Sequence, residues 1–146
     1  MIVYLTDKSA WEQLRYSEAA RQRFAKLQGG WQIAVCTVIA AELLYSARNH
    51  DEFLAQRADY ETLRWLDTGP EVQRRVLDVM QSLARLGQHR GVSLPDLFVA
   101  ATAELGGATV LHYDRDFERI AEVTGQPHEW IVPRGDGHGH PGGEGT

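Results

Sequence analysis

The sequence predicts an α/β fold in which helices cover both faces of a central parallel sheet. Short apolar runs alternate with longer segments of helical spacing, which is the pattern of strand–helix–strand units. The runs at residues 2–6 and 109–113 are apolar over most of their length, as expected for parallel strands buried on both faces. A chain of 146 residues with 43% hydrophobic and 24% charged side chains is long enough to bury one such core.

The first half of the chain alternates between strand and helix signals. Thr37 is a good N-cap for the helix that follows the second strand. The stretch 63–66 is compatible either with the end of a helix or with a short strand. The predicted elements are a strand at 2–6, a helix from 17 to about 26, a strand at 31–35, a helix at 38–48 and a helix at 51–65.

The second half contains two strong helix starts. Thr68-Gly-Pro-Glu71 has the pattern of a capping box with proline in the first turn. Ser93-Leu-Pro-Asp96 is a second N-terminal signature. The predicted elements are a helix that ends near 87, a helix from 93 to about 106, a strand at 109–113, a helix at 116–123 and a strand at 128–132.

The cysteine content, the apolar stretches and the N-terminus predict the cellular compartment of the protein. The single cysteine, Cys36, cannot form an internal disulfide, which predicts a buried thiol in a reducing, cytoplasmic compartment. No apolar stretch is long enough for a membrane span, and the N-terminus lacks the basic region of a signal peptide. A globular domain is therefore predicted for residues 1–132, followed by a flexible Gly/His-rich tail at 133–146 that contains His138 and His140.

The net charge of −5 argues against a protein that coats nucleic acid, because such proteins are normally basic. It does not exclude a nuclease, since carboxylates committed to a metal ion count toward the formal charge while the ion reverses their local field. Thirteen of the fifteen basic residues are arginine, the side chain suited to bidentate phosphate contacts, but they are scattered along the chain.

Four acidic residues are placed where an α/β fold brings them to one sheet edge. Asp7 and Asp114 each end an apolar run, while Glu42 and Asp96 lie near the starts of helices. Carboxylates gathered in one crevice repel each other, and hard oxygen ligands suit Mg²⁺ or Mn²⁺. Ser9, two residues after the first acid, adds a hydrogen-bonding neighbour. The pattern predicts metal-assisted cleavage of a phosphodiester.

Each acid also has a purely structural interpretation. Asp7 is a routine helix cap, and Asp96 in a first helical turn is stabilised by the helix dipole. Glu42 would be satisfied by an ion pair with an arginine. Asp116 is a plausible cap for the following helix and ranks below Asp114, and His112 inside the strand is better explained as a satisfied core or edge histidine than as a base or ligand.

Taken together, four segments resemble the PIN domain, and more narrowly the VapC-type toxins of bacterial toxin–antitoxin pairs. The order and spacing of these segments are family-like, and the similarity extends to about Val132. Any one of the motifs is weak alone, but the combination is specific. The segments are Tyr4-Leu-Thr-Asp-Lys-Ser-Ala10, Thr37-Val-Ile-Ala-Ala-Glu-Leu-Leu-Tyr45, Leu94-Pro-Asp-Leu-Phe-Val-Ala-Ala-Thr-Ala103 and Val110-Leu-His-Tyr-Asp-Arg-Asp-Phe117.

The resemblance implies a three-layer α/β/α fold and a Mg²⁺- or Mn²⁺-dependent endoribonuclease that hydrolyses RNA through metal-activated water. It further implies structured RNA such as tRNA or rRNA as substrate, a cognate VapB-like antitoxin as partner, and a homodimer. Two positions depart from the family pattern, Lys8 and His112, where threonine or serine is frequent. The implied catalytic and metal-binding residues are Asp7, Glu42, Asp96 and Asp114, supported by Ser9 and an auxiliary acid, Asp116.

Two rival hypotheses remain. The first is a catalytically silent PIN-like protein that acts as a binding partner in an antitoxin–DNA repressor complex, and the presence of all four acids argues against a decayed site. The second is a phosphoacceptor domain, in which an aspartate at a strand end takes a phosphoryl group. Such domains need a lysine late in the chain, but the only lysines are Lys8 and Lys26.

Overall fold

A computed structural model describes residues 1–137 of the chain. Its strands form one five-stranded sheet in which all neighbours are parallel. The predicted parallel α/β architecture is therefore confirmed. The strands are β1 (Tyr4–Thr6), β2 (Ile33–Val35), β3 (Arg64–Trp65), β4 (Thr109–His112) and β5 (His128–Trp130), and their order in the sheet is β3-β2-β1-β4-β5.

Helices cover both faces of this sheet. Alternate strand residues point to opposite sides, so Leu5 and Val110 join the core beneath one helical layer while Tyr4 and Leu111 join the core on the other face with Phe24. The three-layer arrangement is as predicted. The helices are α1 (Lys8–Gln13), α2 (Glu18–Gly29), α3 (Thr37–Leu44), α4 (His50–Glu61), α5 (Pro70–Arg85), α6 (Leu94–Leu105) and α7 (Asp116–Thr124).

The strand order creates a crevice at one edge of the sheet. From β1 the chain moves outward through β2 to β3, and it then returns to the other side of β1 as β4 and β5. Ligands of open parallel sheets bind beyond the carboxyl ends of strands at such a reversal. The β1–β4 pairing continues past the strand, since the Asp7 N–H donates to the Leu111 carbonyl at 2.9 Å. This edge is where the predicted acids converge.

Two predicted caps are wrong. Cys36, which is buried directly after β2 as expected, occupies the N-cap position of α3, and Thr37 is the first helical residue. The N-cap of α5 is Gly69, without a side-chain cap bond, while the Thr68 hydroxyl lies 3.2 Å from that of Thr102. The Thr68 hydroxyl therefore pairs with a side chain on α6 instead of capping the first turn of α5. The Ser93 cap of α6 is confirmed, because its hydroxyl accepts from the Asp96 N–H.

Other boundaries differ modestly from the predictions. The short-strand alternative at 63–66 is correct, since α4 ends at Glu61 and β3 pairs with β2. Helix α3 ends at Leu44 rather than at Arg48, and β1 begins at Tyr4. No helix was predicted at 8–13, although Asp7 was considered as a helix cap, because the six residues of α1 are too few for a periodic apolar pattern.

Within residues 1–137, no helix combines the length and apolar content that crossing a bilayer requires. The predicted tail begins at Pro133, and its residues 138–146, including His138 and His140, lie outside the described residues. The flexible tail, the division at residue 132 and the cytoplasmic location therefore stay predictions.

Candidate metal centre

Asp7 directly follows the last residue of β1 and lies at the edge of the sheet where the crevice is. It is the N-cap of α1, where its Oδ2 accepts hydrogen bonds from the Ser9 N–H at 2.9 Å and from the Ser9 hydroxyl at 2.6 Å. The carboxylate is only 3% exposed. Its other oxygen, Oδ1, is buried and has no hydrogen-bond partner among residues 1–137. A buried, unpartnered carboxylate oxygen is costly, and a cation would satisfy it.

Ser9 connects the ends of the two central strands. Its hydroxyl donates to Asp7 and accepts from the Tyr113 N–H at 2.8 Å, just beyond β4. The serine is 3% exposed, so water does not compete for these bonds. The hydroxyl therefore fixes the Asp7 carboxylate relative to the loop that carries Asp114.

Ser9→Ala is expected to weaken divalent-metal binding by about 10- to 100-fold, the usual cost of losing an outer-shell partner. Unfolding free energy should fall by about 1–3 kcal/mol, because the variant lacks the hydroxyl that accepts from the buried Tyr113 N–H. Calorimetric titration with Mn²⁺ and thermal melts measure the two effects.

Ser17→Ala is the matched control. The Ser17 hydroxyl caps α2 by accepting from the Ala20 N–H at 3.1 Å and has no bond to the acids. Its loss should cost about 1 kcal/mol of stability with unchanged Mn²⁺ affinity. Equal Mn²⁺ affinity in Ser9→Ala and the wild type would contradict the role of Ser9.

Three further acids lie close together across the crevice. Carboxylate oxygens of Asp96, Asp114 and Asp116 all lie within 4.8 Å of one another. The Asp114 Oδ1 accepts from the Asp116 N–H at 2.9 Å, and the Asp116 Oδ2 accepts from the Ser93 N–H at 2.9 Å. The α6 cap and the start of α7 are thereby joined, which holds the three carboxylates together.

Burial and mutual repulsion favour the protonated forms of Asp96 and Asp7. Burial, followed by the charge of Asp7, a hydrogen bond with Asp116 and the charge of Asp114, raises the pKa of Asp96 to about 10. Burial also raises the pKa of Asp7, against the opposing hydrogen bonds from Ser9. A divalent cation offsets this repulsion, and the donors present are the hard carboxylate oxygens that Mg²⁺ and Mn²⁺ prefer.

Glu42 lies on α3 beside Asp7 and outside the group of three. Burial and then the charge of Asp7 raise the pKa of Glu42, while Lys8 lowers it. The cation that acts on this carboxylate is Lys8, and within residues 1–137 Glu42 forms no ion pair with an arginine, which was the structural alternative considered above. Glu42 therefore borders the site from the β1 side.

The structure thus brings the predicted acids to one edge of the sheet. The three carboxylates that lie close together include Asp116, whereas the expected set was Asp7, Glu42, Asp96 and Asp114. Asp116, ranked below Asp114 on sequence grounds, belongs to the same group as Asp96 and Asp114, in which the carboxylate oxygens lie within 4.8 Å of one another. Asp7 acts electrostatically on both Asp96 and Glu42. The catalytic and metal-binding roles of these residues stay predictions.

His112 is buried as the sequence interpretation expected. Burial and the neighbouring His128 hold the pKa of His112 down at about 3, so its imidazole is neutral at working pH. Its ring nitrogens contact the Asp114 N–H and His128. The contact between His112 and His128 was not predictable from the sequence, because nothing in the local sequence of His128 indicates a partner on the neighbouring strand.

The fold and its acidic crevice define a PIN domain. The PIN domain family matches residues 4–123, and the chain belongs to that family. Its relatives include Ribonuclease VapC18 of Mycobacterium tuberculosis, 40% identical over 92% of this chain and 98% of that protein. Ribonuclease VapC21 of the same species is 38% identical over 90% of this chain and 96% of its own length. The resemblance to VapC-type proteins is confirmed.

Solved structures agree on the fold. A DNA-bound VapBC from Salmonella typhimurium superimposes with a TM-score of 0.69 at 22% identity, covering 90% of this chain and 100% of that one. VapBC-1 from nontypeable Haemophilus influenzae gives a TM-score of 0.71 at 18% identity, covering 89% and 98%. At these identities the likeness concerns the fold alone.

Proposed function

We propose that this protein is a VapC-type endoribonuclease, the toxin of a type II toxin–antitoxin system, which hydrolyses RNA phosphodiesters with Mg²⁺ or Mn²⁺. Relatives named ribonuclease at 38–40% identity across nearly the whole chain support the enzyme class. The single observation that carries the metal dependence is the buried, unpartnered Oδ1 of Asp7 beside a crevice of further acids.

The residues that would hold the cation are Asp7, Asp96 and Asp114, with Glu42 at the border and Asp116 as an auxiliary acid. A bound divalent ion lowers the pKa of a coordinated water and neutralises charge that develops on the phosphate. Among residues 1–137, the clustered ligand atoms are carboxylate oxygens, which fit a hard ion of this kind.

The protein's own contribution is to hold these oxygens in place before substrate arrives. Ser9 fixes Asp7, and the Ser93 N–H fixes Asp116. Asp96 is 7% exposed, so water is largely excluded from the inner side of the crevice. Charges held in such a dry, preorganised site act more strongly on a developing charge than they would in water.

The acidic crevice repels RNA until a cation neutralises it, so RNA affinity should depend on the divalent ion. Structured RNA such as tRNA or rRNA is the proposed substrate class. Because the RNA 2′-hydroxyl is not needed as nucleophile, the products should carry 5′-phosphate and 3′-hydroxyl ends.

A VapB-like antitoxin is the proposed partner, and a homodimer the proposed assembly. The solved VapBC structures named above include partner proteins of this kind for chains with the same fold. Where the neighbouring reading frame encodes a small antitoxin-like protein, co-expression with it, followed by purification through one component, would test whether the two chains form a complex.

Cleavage of RNA by the purified protein, with Mg²⁺ or Mn²⁺ against EDTA, tests the enzymatic proposal. We expect cleavage only with the divalent ion, and sequencing should find 5′-phosphate ends. Cyclic phosphate products would contradict metal-assisted hydrolysis. Absence of cleavage together with stable antitoxin binding would favour the rival hypothesis of a silent binding partner.

A further inference from the structure

His112 is a fully buried imidazole beside the acidic cluster that the proposed chemistry does not use. It ends β4 and is 0% exposed. Its ring packs against those of Phe117 and Trp130, each with centroids 4.9 Å away. A hydrocarbon side chain would fill this space as well, so packing alone does not account for two polar ring nitrogens. Their hydrogen bonds are what a hydrocarbon could not provide.

The hydrogen bonds of His112 determine its tautomer. The Asp114 backbone N–H can only donate, and it lies 3.1 Å from the His112 Nδ1, so this nitrogen must be the unprotonated acceptor. The proton of the neutral ring is then on Nε2, which lies 2.9 Å from the His128 Nδ1 and donates to it. His128 must therefore accept through Nδ1 and carry its own proton on Nε2.

The same series of hydrogen bonds continues into the acidic cluster. Beyond the Asp114 N–H, the Asp114 Oδ1 accepts from the Asp116 N–H, and the Asp116 Oδ2 accepts from the Ser93 N–H, both at 2.9 Å. Each link involves a backbone N–H, which leaves the loop few alternative conformations. The backbone that carries two of the clustered acids is thus held at one end by His112.

We propose that His112 is a positioning residue for the acidic cluster, with His128 fixing the tautomer in which it can hold the Asp114 N–H. The inference rests on the proposed function, because the cluster it orders is the candidate metal centre. Serine or threonine can also accept from the N–H two residues later. A histidine adds the link to β5, which a short hydroxyl side chain could not reach.

Two substitutions whose side chains are nearly isosteric with each other distinguish a positioning role of His112 from a packing role. His112→Asn keeps an acceptor, Oδ1, at the position of Nδ1, whereas His112→Leu has the same branching without one. We expect His112→Leu to weaken Mn²⁺ binding, titrated without RNA, by about 10- to 100-fold, as for other outer-shell partners. His112→Asn should stay within about threefold of the wild type, and KM for RNA at saturating metal should change little in either variant.

Both variants lose the same aromatic contacts, so a purely structural role predicts that Asn performs no better than Leu. Equal loss of Mn²⁺ affinity in the two variants, or wild-type affinity in His112→Leu, would overturn the proposal. If the wild type itself fails to bind Mn²⁺, the proposed function fails, which is a separate and recognisable result.

The wild-type protein provides a measurement that needs no folded variant. Imidazole ¹⁵N spectra should show His112 as the Nε2–H tautomer with an unprotonated Nδ1, and finding the proton on Nδ1 would overturn the proposal. His128→Phe removes the acceptor for the Nε2–H. This variant should lose Mn²⁺ affinity, though less than His112→Leu, and unchanged affinity together with an unchanged His112 spectrum would remove His128 from the proposal.

Discussion

Asp7→Asn is expected to lower RNA cleavage by more than about 100-fold, beyond the range typical of outer-shell substitutions, because it removes a proposed charged ligand from the candidate metal centre. Asparagine retains an oxygen that can accept from the Ser9 N–H and hydroxyl, so the cap of α1 should survive. In EDTA the variant should be at least as stable as the wild type. Because burial raises the pKa of Asp7, a neutral amide at this position avoids the cost of ionising a buried carboxyl, and Tm is expected to rise by about 2–6 °C.

Cleavage assays, thermal melts in EDTA and Mn²⁺ titrations measure these effects together. Asp78→Asn, which removes the same charge from the exposed side of α5, is the matched control and should cleave RNA like the wild type. Wild-type cleavage by Asp7→Asn would remove Asp7 from the mechanism. A large loss of stability in EDTA would instead show that the carboxylate of Asp7 is needed for the fold itself, so that lost cleavage could not be assigned to metal binding.

The second large effect is a reversal of the pH dependence of stability by divalent metal. The pKa of Asp96 is about 10 in the folded protein, far above its ordinary value. Below the unfolded value, near pH 4, both states hold the proton. As the pH rises toward 10, the unfolded chain releases the proton while the folded protein keeps it, so stability falls by up to about 1.4 kcal/mol per pH unit.

We therefore expect Tm in EDTA to fall between about pH 6 and pH 9. With saturating Mg²⁺ or Mn²⁺ the fall should shrink or reverse, because metal binding requires the deprotonated carboxylates and strengthens as the pH rises. Asp96→Asn should remove most of the slope in EDTA. If the metal raised Tm by the same amount at about pH 6 and at about pH 9, metal binding would not be coupled to deprotonation of these carboxylates.

Much of the fold follows from local patterns in the sequence. The buried strands at the centre of the sheet are apolar, and α5 and α6 carry apolar periodicity or capping signals, so each was predictable within a few residues. The errors occurred where tertiary contacts compete with local signals. Thr68 bonds to Thr102 rather than capping α5, and the short strand β3 depends on its pairing with β2.

In the candidate site, too, local signals predicted some features, whereas others depend on tertiary contacts. Local sequence patterns were enough to show which acids follow strands or start helices, and the parallel strands then bring Asp7 and Asp114 to a common edge. The grouping of Asp116 with Asp96, and the position of Glu42 at the border of that group, depend on how the helices pack in the complete fold. Burial and distance between remote residues set the pKa values and the tautomers here, and neither quantity is contained in any local stretch of sequence.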